Sequence, residues 1–262
     1  MLTLVNNTRA SLLDYLERQL ANFFPDAAPG VRPPLDAHLD EALRRLKGCI
    51  NGVKLWREGE FDALHSSQYT SFLYYLANTL WRRGADVRVC TKLFLLNKAL
   101  NGIDCFYEIE LPEVFFIGHS VGIVLAKASY GNHLVLYQNA TVGKNHGVAP
   151  VLEDGVVMYP HTAIIGRSRV RAGSVISQGA SVINRDTPGH CLVFQGPRGG
   201  LVFEPPKRDI QADIFRLPAA LTRERAEAAR VPAPAVYAET ARRRSDRRPS
   251  ALSRSPCGID GG

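Results

Sequence analysis

Residues 152–182, LEDGVVMYPHTAIIGRSRVRAGSVISQGASV, determine the fold of this chain, because a large apolar residue recurs in them at every sixth position. This series comprises Leu152, Met158, Ile164, Val170, Ile176 and Val182. Small residues follow four places after the middle members, at Thr162, Ser168, Ser174 and Ala180. An α-helix has a period of about 3.6 residues and a strand a period of 2, so neither explains a period of six. A six-residue repeat predicts a solenoid.

The same period extends upstream and predicts the shape of the solenoid. It includes Cys105, Leu111, Ile117 and Ile123, and then, after one extra residue, Tyr130, Leu136 and Val142. In a triangular parallel β-helix, one coil has three flat faces of about six residues each. The apolar residue points inward and the small residue turns the corner, so thirteen such positions predict about four coils. Chance periodicity in an ordinary β domain is the alternative.

One interruption of the repeat marks a candidate functional loop. Val142 and Leu152 are ten residues apart instead of six, so about four extra residues protrude within 143–151. Insertions in a regular solenoid commonly carry the function.

The first hundred residues have a helical period. Leucines and other apolar residues recur at three- and four-residue spacing in four segments, which predicts helices over about 8–23, 35–50, 67–83 and 88–101. His65 opens the third helix and is expected to be either its N-terminal cap or a surface residue. We therefore predict an α+β protein with a helical domain (1–102), a parallel β-helix (103–206) and an Arg/Ala/Pro-rich, mostly disordered tail (207–262).

Composition excludes several classes of protein. The 262 residues carry a net charge of +7, but residues 205–262 account for +5 of it, so the folded body is nearly neutral and no nucleic-acid partner is expected. No apolar run is long enough for a bilayer, and the N-terminus lacks the features of a signal peptide. Five widely spaced cysteines without a CxxC pair fit a reduced chain. We expect a cytoplasmic protein without membrane insertion.

The order of motifs in residues 65–206 resembles that of serine acetyltransferases and related hexapeptide acyltransferases. The matching pieces are Leu80-Trp81, Asp104, IGHSVGIV (117–124), PVLEDGV (150–156), IIG (164–166), GSVI (173–176) and FQGPR (194–198). The resemblance implies a left-handed β-helix and transfer of an acetyl group from acetyl-CoA, with no metal.

The resemblance also assigns catalytic roles. His119 takes the position of the family's general base, and Asp104, fifteen residues earlier, that of the carboxylate that orients it. A hydroxyl is a poor nucleophile, so an imidazole must remove its proton as it attacks the thioester. The carboxylate would fix the tautomer and stabilise the imidazolium.

Three departures concern the acceptor site. Gly118 stands where the family has an aspartate, the loop is about four residues shorter, and Val148-Ala149 replace an Arg-His pair. His146, four residues before Pro150, is a candidate substitute for the loop histidine, with a plain surface histidine as the alternative.

The resemblance implies further binding residues and an assembly. Gly143, Pro160 and Gln178 match corner positions that contact acetyl-CoA, and Arg198 is a candidate phosphate contact; simple turn residues are the alternative. The implied assembly is a homotrimer, or a dimer of trimers. Ile259 is followed by Asp-Gly-Gly, which argues against the complex that some relatives form with the next enzyme of cysteine synthesis through a terminal isoleucine.

Three functions remain open from the sequence. The first is O-acetylation of L-serine or a similar small acceptor. The second is O- or N-acetylation of a sugar or nucleotide-sugar in surface polysaccharide synthesis. The third, more distant, is a non-catalytic assembly protein. A zinc site shared by three chains, as in gamma-type carbonic anhydrases, is disfavoured because His119 has no suitably spaced histidine pair.

Overall fold

A computed structural model describes residues 2–26, 30–196 and 200–219, and it has the predicted class of fold: a helical N-terminal region followed by a parallel β-solenoid. The helices are α1 (Arg9–Phe23), α2 (Arg32–Gly52), α3 (Ser66–Arg82), α4 (Val87–Asn101) and the short α5 (Ile210–Ile214). The first four agree closely with the predicted segments. The later part of the predicted tail, residues 220–262, lies outside the described residues.

Local sequence explains where these helices begin and end. Thr8 caps α1 by accepting a hydrogen bond from the Ser11 N–H, and His65 caps α3 in the same way, as predicted. Gly102 ends α4 at a φ of 65°, a conformation that glycine adopts at little cost. The leucine faces of these helices form a buried core against each other. Within the described ranges, no helix combines the length and apolarity needed to cross a bilayer.

The solenoid is built from three sheets. The first contains β4 (Phe115–Gly118), β7 (Leu134–Tyr137), β10 (Val157–Met158), β13 (Val175–Ile176), β15 (Leu192–Gln195) and the antiparallel β16 (Leu201–Glu204). The second contains β3 (Asp104–Cys105), β5 (Val124–Leu125), β8 (Thr141–Gly143), β11 (Ala163–Ile165) and β14 (Ser181–Ile183). The third contains β6 (Ser129–Tyr130), β9 (Val151–Leu152) and β12 (Arg169–Val170). Separately, β1 (Thr3–Leu4) pairs with β2 (Glu60–Phe61).

The interior and the corners follow the six-residue rule. Every member of the series from Leu152 to Val182 is at most 1% exposed. The hydroxyl residues among the small series also hydrogen-bond across the corner. Thr162 Oγ1 donates to the Tyr159 carbonyl at 2.8 Å, and Ser174 Oγ donates to the Arg171 carbonyl at 2.7 Å. These residues therefore fit into the narrow corner and also donate a hydrogen bond to a backbone carbonyl there.

Two details of the repeat differ from the prediction. Leu125, not Ile123, occupies the interior position, because β5 pairs with β8 so that Leu125 lies opposite Val142. Ile123 is buried at the corner instead. The solenoid also has about five levels rather than four, because β15 continues the stack with Val193 opposite Ile176 after an irregular connection.

The C-terminal segment, residues 200–219, folds back over the first sheet and reaches the helical region. Gln211 is buried and donates through Nε2 to the Gly155 carbonyl, while the Phe215 ring contacts His133. Phe215 also forms a β-bridge with Val53, directly after α2. The predicted domain boundary at 206 therefore falls inside a structured segment, and residues 207–219 pack on both parts of the chain.

Candidate functional site

The candidate base and two predicted acetyl-CoA contacts lie along one edge of the solenoid. This first edge joins the first sheet to the second. Strands β4, β7, β10 and β13 pair in parallel with a fixed register. If this register is extended just beyond the end of each strand, one residue of each coil falls at the same corner position. These residues are His119, Gln138, Pro160 and Gln178. Neighbouring parallel strands are about 4.8 Å apart, so the edge presents a straight row parallel to the solenoid axis.

His119 occupies a bulge in this row. The corner between β4 and β5 has two more residues than the corner of the next coil. Ser120 Oγ anchors the bulge by donating to the Asn101 carbonyl at 2.6 Å, and the Gly122 N–H donates to the Gly102 carbonyl at 2.9 Å. His119 itself has a φ of 59° and an exposed side chain. The end of α4 thus holds His119 outward at the edge.

Asp104 lies near the same edge, but the side chain that it contacts is a lysine. Its strand β3 pairs with β5, and its backbone N–H donates to the Ile123 carbonyl at 2.8 Å. Lys98 Nζ on α4 donates to Asp104 Oδ2 at 2.6 Å. Among the described residues, no hydrogen bond joins Asp104 to His119. The single chain therefore brings the two predicted partners to one edge without pairing them.

The predicted residues of the loop lie on a different edge. Gly143 ends β8, and the following residues form the second edge, between the second and third sheets. Asn145 and Val148 exchange backbone hydrogen bonds of 2.9 and 3.0 Å around His146 and Gly147, whose φ values are 47° and 80°. Two positive φ values are typical of a type I′ turn. His146 is therefore displayed at the tip of a tight turn, exposed to solvent.

Gln138 is a residue of the first edge that the sequence patterns did not single out. Its side-chain oxygen Oε1 is buried, without a hydrogen-bond partner in the described part of the chain. A buried unpaired acceptor costs about 1–3 kcal/mol, so such groups are rare in folded proteins. Gln138 lies 22 residues before Pro160, one coil plus the four inserted loop residues, and this count could have identified it.

An aromatic cluster adjoins His119 on the first sheet. Gly118 lies opposite Tyr137, and Tyr137 stacks on Tyr159 in the next coil, with ring centroids 5.5 Å apart. Phe116 contacts Tyr137 edge-on at 6.3 Å and packs against Trp56. The repeat alone did not single out these rings, because their positions alternate with the interior ones.

Two further predictions concern phosphate and metal binding. Arg198, the predicted phosphate contact, lies outside the described residues. In the described ranges, no group of three or more His, Cys, Asp or Glu side chains is arranged to hold a metal ion.

Comparison with known proteins gives serine acetyltransferases among the relatives of this chain. No protein-family model matches the chain. A serine acetyltransferase of Synechococcus elongatus is 28% identical over 131 residues, which is 47% of this chain and 52% of the relative. Among solved structures, the serine acetyltransferase of Vibrio cholerae has a TM-score of 0.58 at 20% identity, over 76% of this chain and 83% of that chain. That of Neisseria gonorrhoeae, in complex with serine, has a TM-score of 0.52 at 17% identity, over 76% and 84%.

This chain is therefore similar in sequence to serine acetyltransferases and shares a β-solenoid fold with them. The chain spans about half the length of the curated relatives it matches first.

Proposed function

We propose that this protein is an acetyl-CoA-dependent O-acetyltransferase of the serine acetyltransferase type. The observation that carries this proposal is the row of residues on the first edge. His119, Pro160 and Gln178 were assigned separately to catalysis and to acetyl-CoA binding, and they lie in register along one edge, with Gln138 on the coil between His119 and Pro160. An elongated thioester lying along the edge would bring its acetyl group to His119.

The chemistry then follows from the residues at that edge. A nitrogen of His119 accepts the proton of the acceptor hydroxyl as the oxygen bonds to the thioester carbonyl carbon. The carbon–sulfur bond breaks, and the imidazolium returns the proton to the thiolate, which leaves as CoA. Asp104 stabilises the imidazolium once its carboxylate turns from Lys98. Gln138 is only partly buried as a residue, so its side-chain amide can turn outward, and its unpaired Oε1 would then accept a hydrogen bond from an amide N–H of the pantetheine arm.

The division of residues between two edges supports a homotrimer. Within one chain, the second sheet separates His119 on the first edge from Gly143 and His146 on the second edge. The outer face of this sheet carries exposed apolar side chains, with Val124 and Ile183 44% and 50% exposed, beside polar residues such as Thr141 and Ser181. If three copies meet through that face, the first edge of one copy adjoins the second edge of its neighbour. A complete site then forms between two chains.

The acceptor is a small molecule with a hydroxyl group. The likeness to serine acetyltransferases makes L-serine the reference acceptor, and one of the relatives was solved with serine bound. A sugar hydroxyl is the second candidate, favoured by Gly118 and by the uncharged Val148-Ala149 pair beside the short turn. We place the protein in the cytoplasm, where acetyl-CoA is available, and propose no metal.

The decisive experiment measures release of CoA from acetyl-CoA by the full chain. Acetyl transfer to a small thiol reagent tests the thioester chemistry without depending on the acceptor site. Substitution His119→Ala should lower this rate by about 10²–10⁴-fold. His161→Ala is a matched control, because His161 is an exposed corner histidine with a similar φ of 60°. Equal rates for the two variants would reject His119 as the base.

A further inference from the structure

A cleft of about 870 Å³ lies between α2, α3 and residues 110–114, the segment that leads into β4. Its volume is in the range of small-molecule binding sites. The proposed acetyl transfer uses none of the residues that line it. Seven charged side chains are among them: Arg44, Arg45, Arg82, Arg83, Glu41, Glu110 and Glu113. The pairing of these charges determines what the cleft can bind.

Two of the four arginines are paired with carboxylates inside the cleft. Arg83 donates through Nε and Nη2 to the two carboxylate oxygens of Glu41, at 2.8 and 2.7 Å. These hydrogen bonds lower the pKa of Glu41, so its carboxylate is ionised near neutral pH. Arg82 lies 3.8 Å from a carboxylate oxygen of Glu110. The charges of Arg82 and Arg83 are therefore balanced without a ligand.

Arg45 is held firmly, but only by uncharged groups. Its guanidinium donates to Thr79 Oγ1 and to Asn78 Oδ1, both at 2.7 Å, and its central carbon lies 5.1 Å from the centre of the Tyr75 ring. The Tyr75 hydroxyl in turn donates to the Glu113 carbonyl at 3.0 Å, which fixes the segment before β4. An arginine has five N–H donors, so Arg45 keeps donors for a ligand in a preformed position.

The remaining charges leave an excess of positive charge in the cleft. Arg44 is exposed, and its side chain forms no hydrogen bond or ion pair with the described residues. Glu113 is exposed too, and it lies beyond ion-pair distance of every described arginine and lysine. Arg44 and Arg45 thus line one cleft without a carboxylate partner in the described ranges. Two such cations attract an anion.

We propose that the cleft binds a phosphate monoester, with its phosphate group between Arg44 and Arg45 and its organic part along residues 110–114. A phosphate monoester carries a charge of about −1.5 to −2 at neutral pH, which matches two unpaired arginines better than a single carboxylate does. Guanidinium groups also donate two parallel hydrogen bonds to phosphate oxygens. The site lies apart from the first edge, so this inference does not depend on the proposed acetyl transfer.

Isothermal titration calorimetry of the full chain tests the ligand class. The probes are glucose 6-phosphate, inorganic phosphate and glucose, at constant ionic strength in chloride. We expect both phosphate compounds to bind, glucose 6-phosphate at least as tightly as the free ion, and glucose not to bind. If neither phosphate compound binds at millimolar concentration, the proposal is wrong. Binding of inorganic phosphate alone would overturn the assignment to a monoester.

Charge variants test the location of the site. Arg45→Gln should weaken glucose 6-phosphate binding about 10–100-fold, the range for loss of a hydrogen bond from a charged donor. Arg44→Gln should weaken it about 2–10-fold, because Arg44 is exposed. Arg18→Gln is the matched control, since Arg18 is an exposed arginine on α1 outside the cleft, and it should leave the affinity unchanged.

A further variant keeps the test valid if loss of Arg45 disturbs the packing of α2 on α3. Glu113→Gln removes the unpaired carboxylate, so it should strengthen binding, and circular dichroism reports whether each variant is folded. Arg44→Gln and Glu113→Gln change only exposed side chains and are expected to fold. Equal affinity in Arg44→Gln, Glu113→Gln and Arg18→Gln would show that the phosphate binds elsewhere, and would overturn the proposal.

Discussion

Arg216 is expected to determine how firmly the C-terminal segment holds the solenoid to the helical region. Its guanidinium donates to the carbonyls of Asn51, Val53 and Trp56 at 3.3, 2.6 and 2.9 Å, just where α2 ends. It also forms an ion pair with Glu58 at 2.8 Å. Arg216→Ala removes all four contacts but leaves the backbone bond from its N–H to the Gly52 carbonyl.

The size of the effect follows from these contacts. Each hydrogen bond from a charged donor contributes about 1.5–3 kcal/mol to stability when water is excluded from it. Here the Arg216 side chain is 31% exposed, and water can solvate the released carbonyls, so the full sum is not lost. The ion pair adds little because the Glu58 side chain is 61% exposed. We expect a loss of about 2–3 kcal/mol in the free energy of unfolding.

Urea unfolding followed by circular dichroism measures this loss at a fixed protein concentration, which matters if the chain is oligomeric. The matched control is Arg208→Ala, because Arg208 lies in the same segment but, within the part of the chain that the structure describes, pairs only with Asp213, at 3.9 Å and with both side chains largely exposed. The control should change the free energy of unfolding by less than about 0.5 kcal/mol. Equal effects of the two variants would refute the anchoring role of Arg216.

Two further predictions concern the core. Ile164→Ala, in the solenoid interior, should cost about 2–5 kcal/mol, whereas Val151→Ala, on the third sheet, away from the proposed trimer face and 36% exposed, should cost far less; similar urea midpoints would contradict the assigned register. Burial raises the pKa of the Cys49 thiol from 9.0 to about 11, so its contribution to stability is complete below pH 9 and is lost as the pH rises from about 9 to about 11, by about 3 kcal/mol in all. Urea midpoints at pH 8 and pH 10.5 measure this loss, and Cys49→Ala should reduce it; equal midpoints for the unsubstituted protein would contradict the predicted burial effect.

The sequence predicted the elements well where the pattern is local and repeated. The six-residue period located the interior residues from Leu152 onward, because every coil there has the same length. The period could not show that two extra residues bulge out at His119. Their presence moves the interior position from Ile123 to Leu125, and only the pairing of β5 with β8 reveals it.

The remaining differences depend on contacts between distant parts of the chain. Residues 207–219 have an ordinary composition, and their order comes from carbonyl groups at the end of α2 and from the sheet they cover. Likewise, the rings of Tyr137 and Tyr159 are 22 residues apart in sequence and meet only through the coil geometry. The ion pair between Lys98 and Asp104 joins a helix to a strand, and no spacing rule predicts it.

The proposed acetyltransferase site is best tested by the rate of acetyl transfer from acetyl-CoA to a small thiol, compared between the unsubstituted protein and His119→Ala. We expect the full chain to catalyse this transfer and the substitution to lower the rate by about 10²–10⁴-fold, while His161→Ala retains it. No catalysis by the unsubstituted protein, or an undiminished rate in His119→Ala, would contradict the assignment of the first edge of this solenoid as an acetyltransferase site.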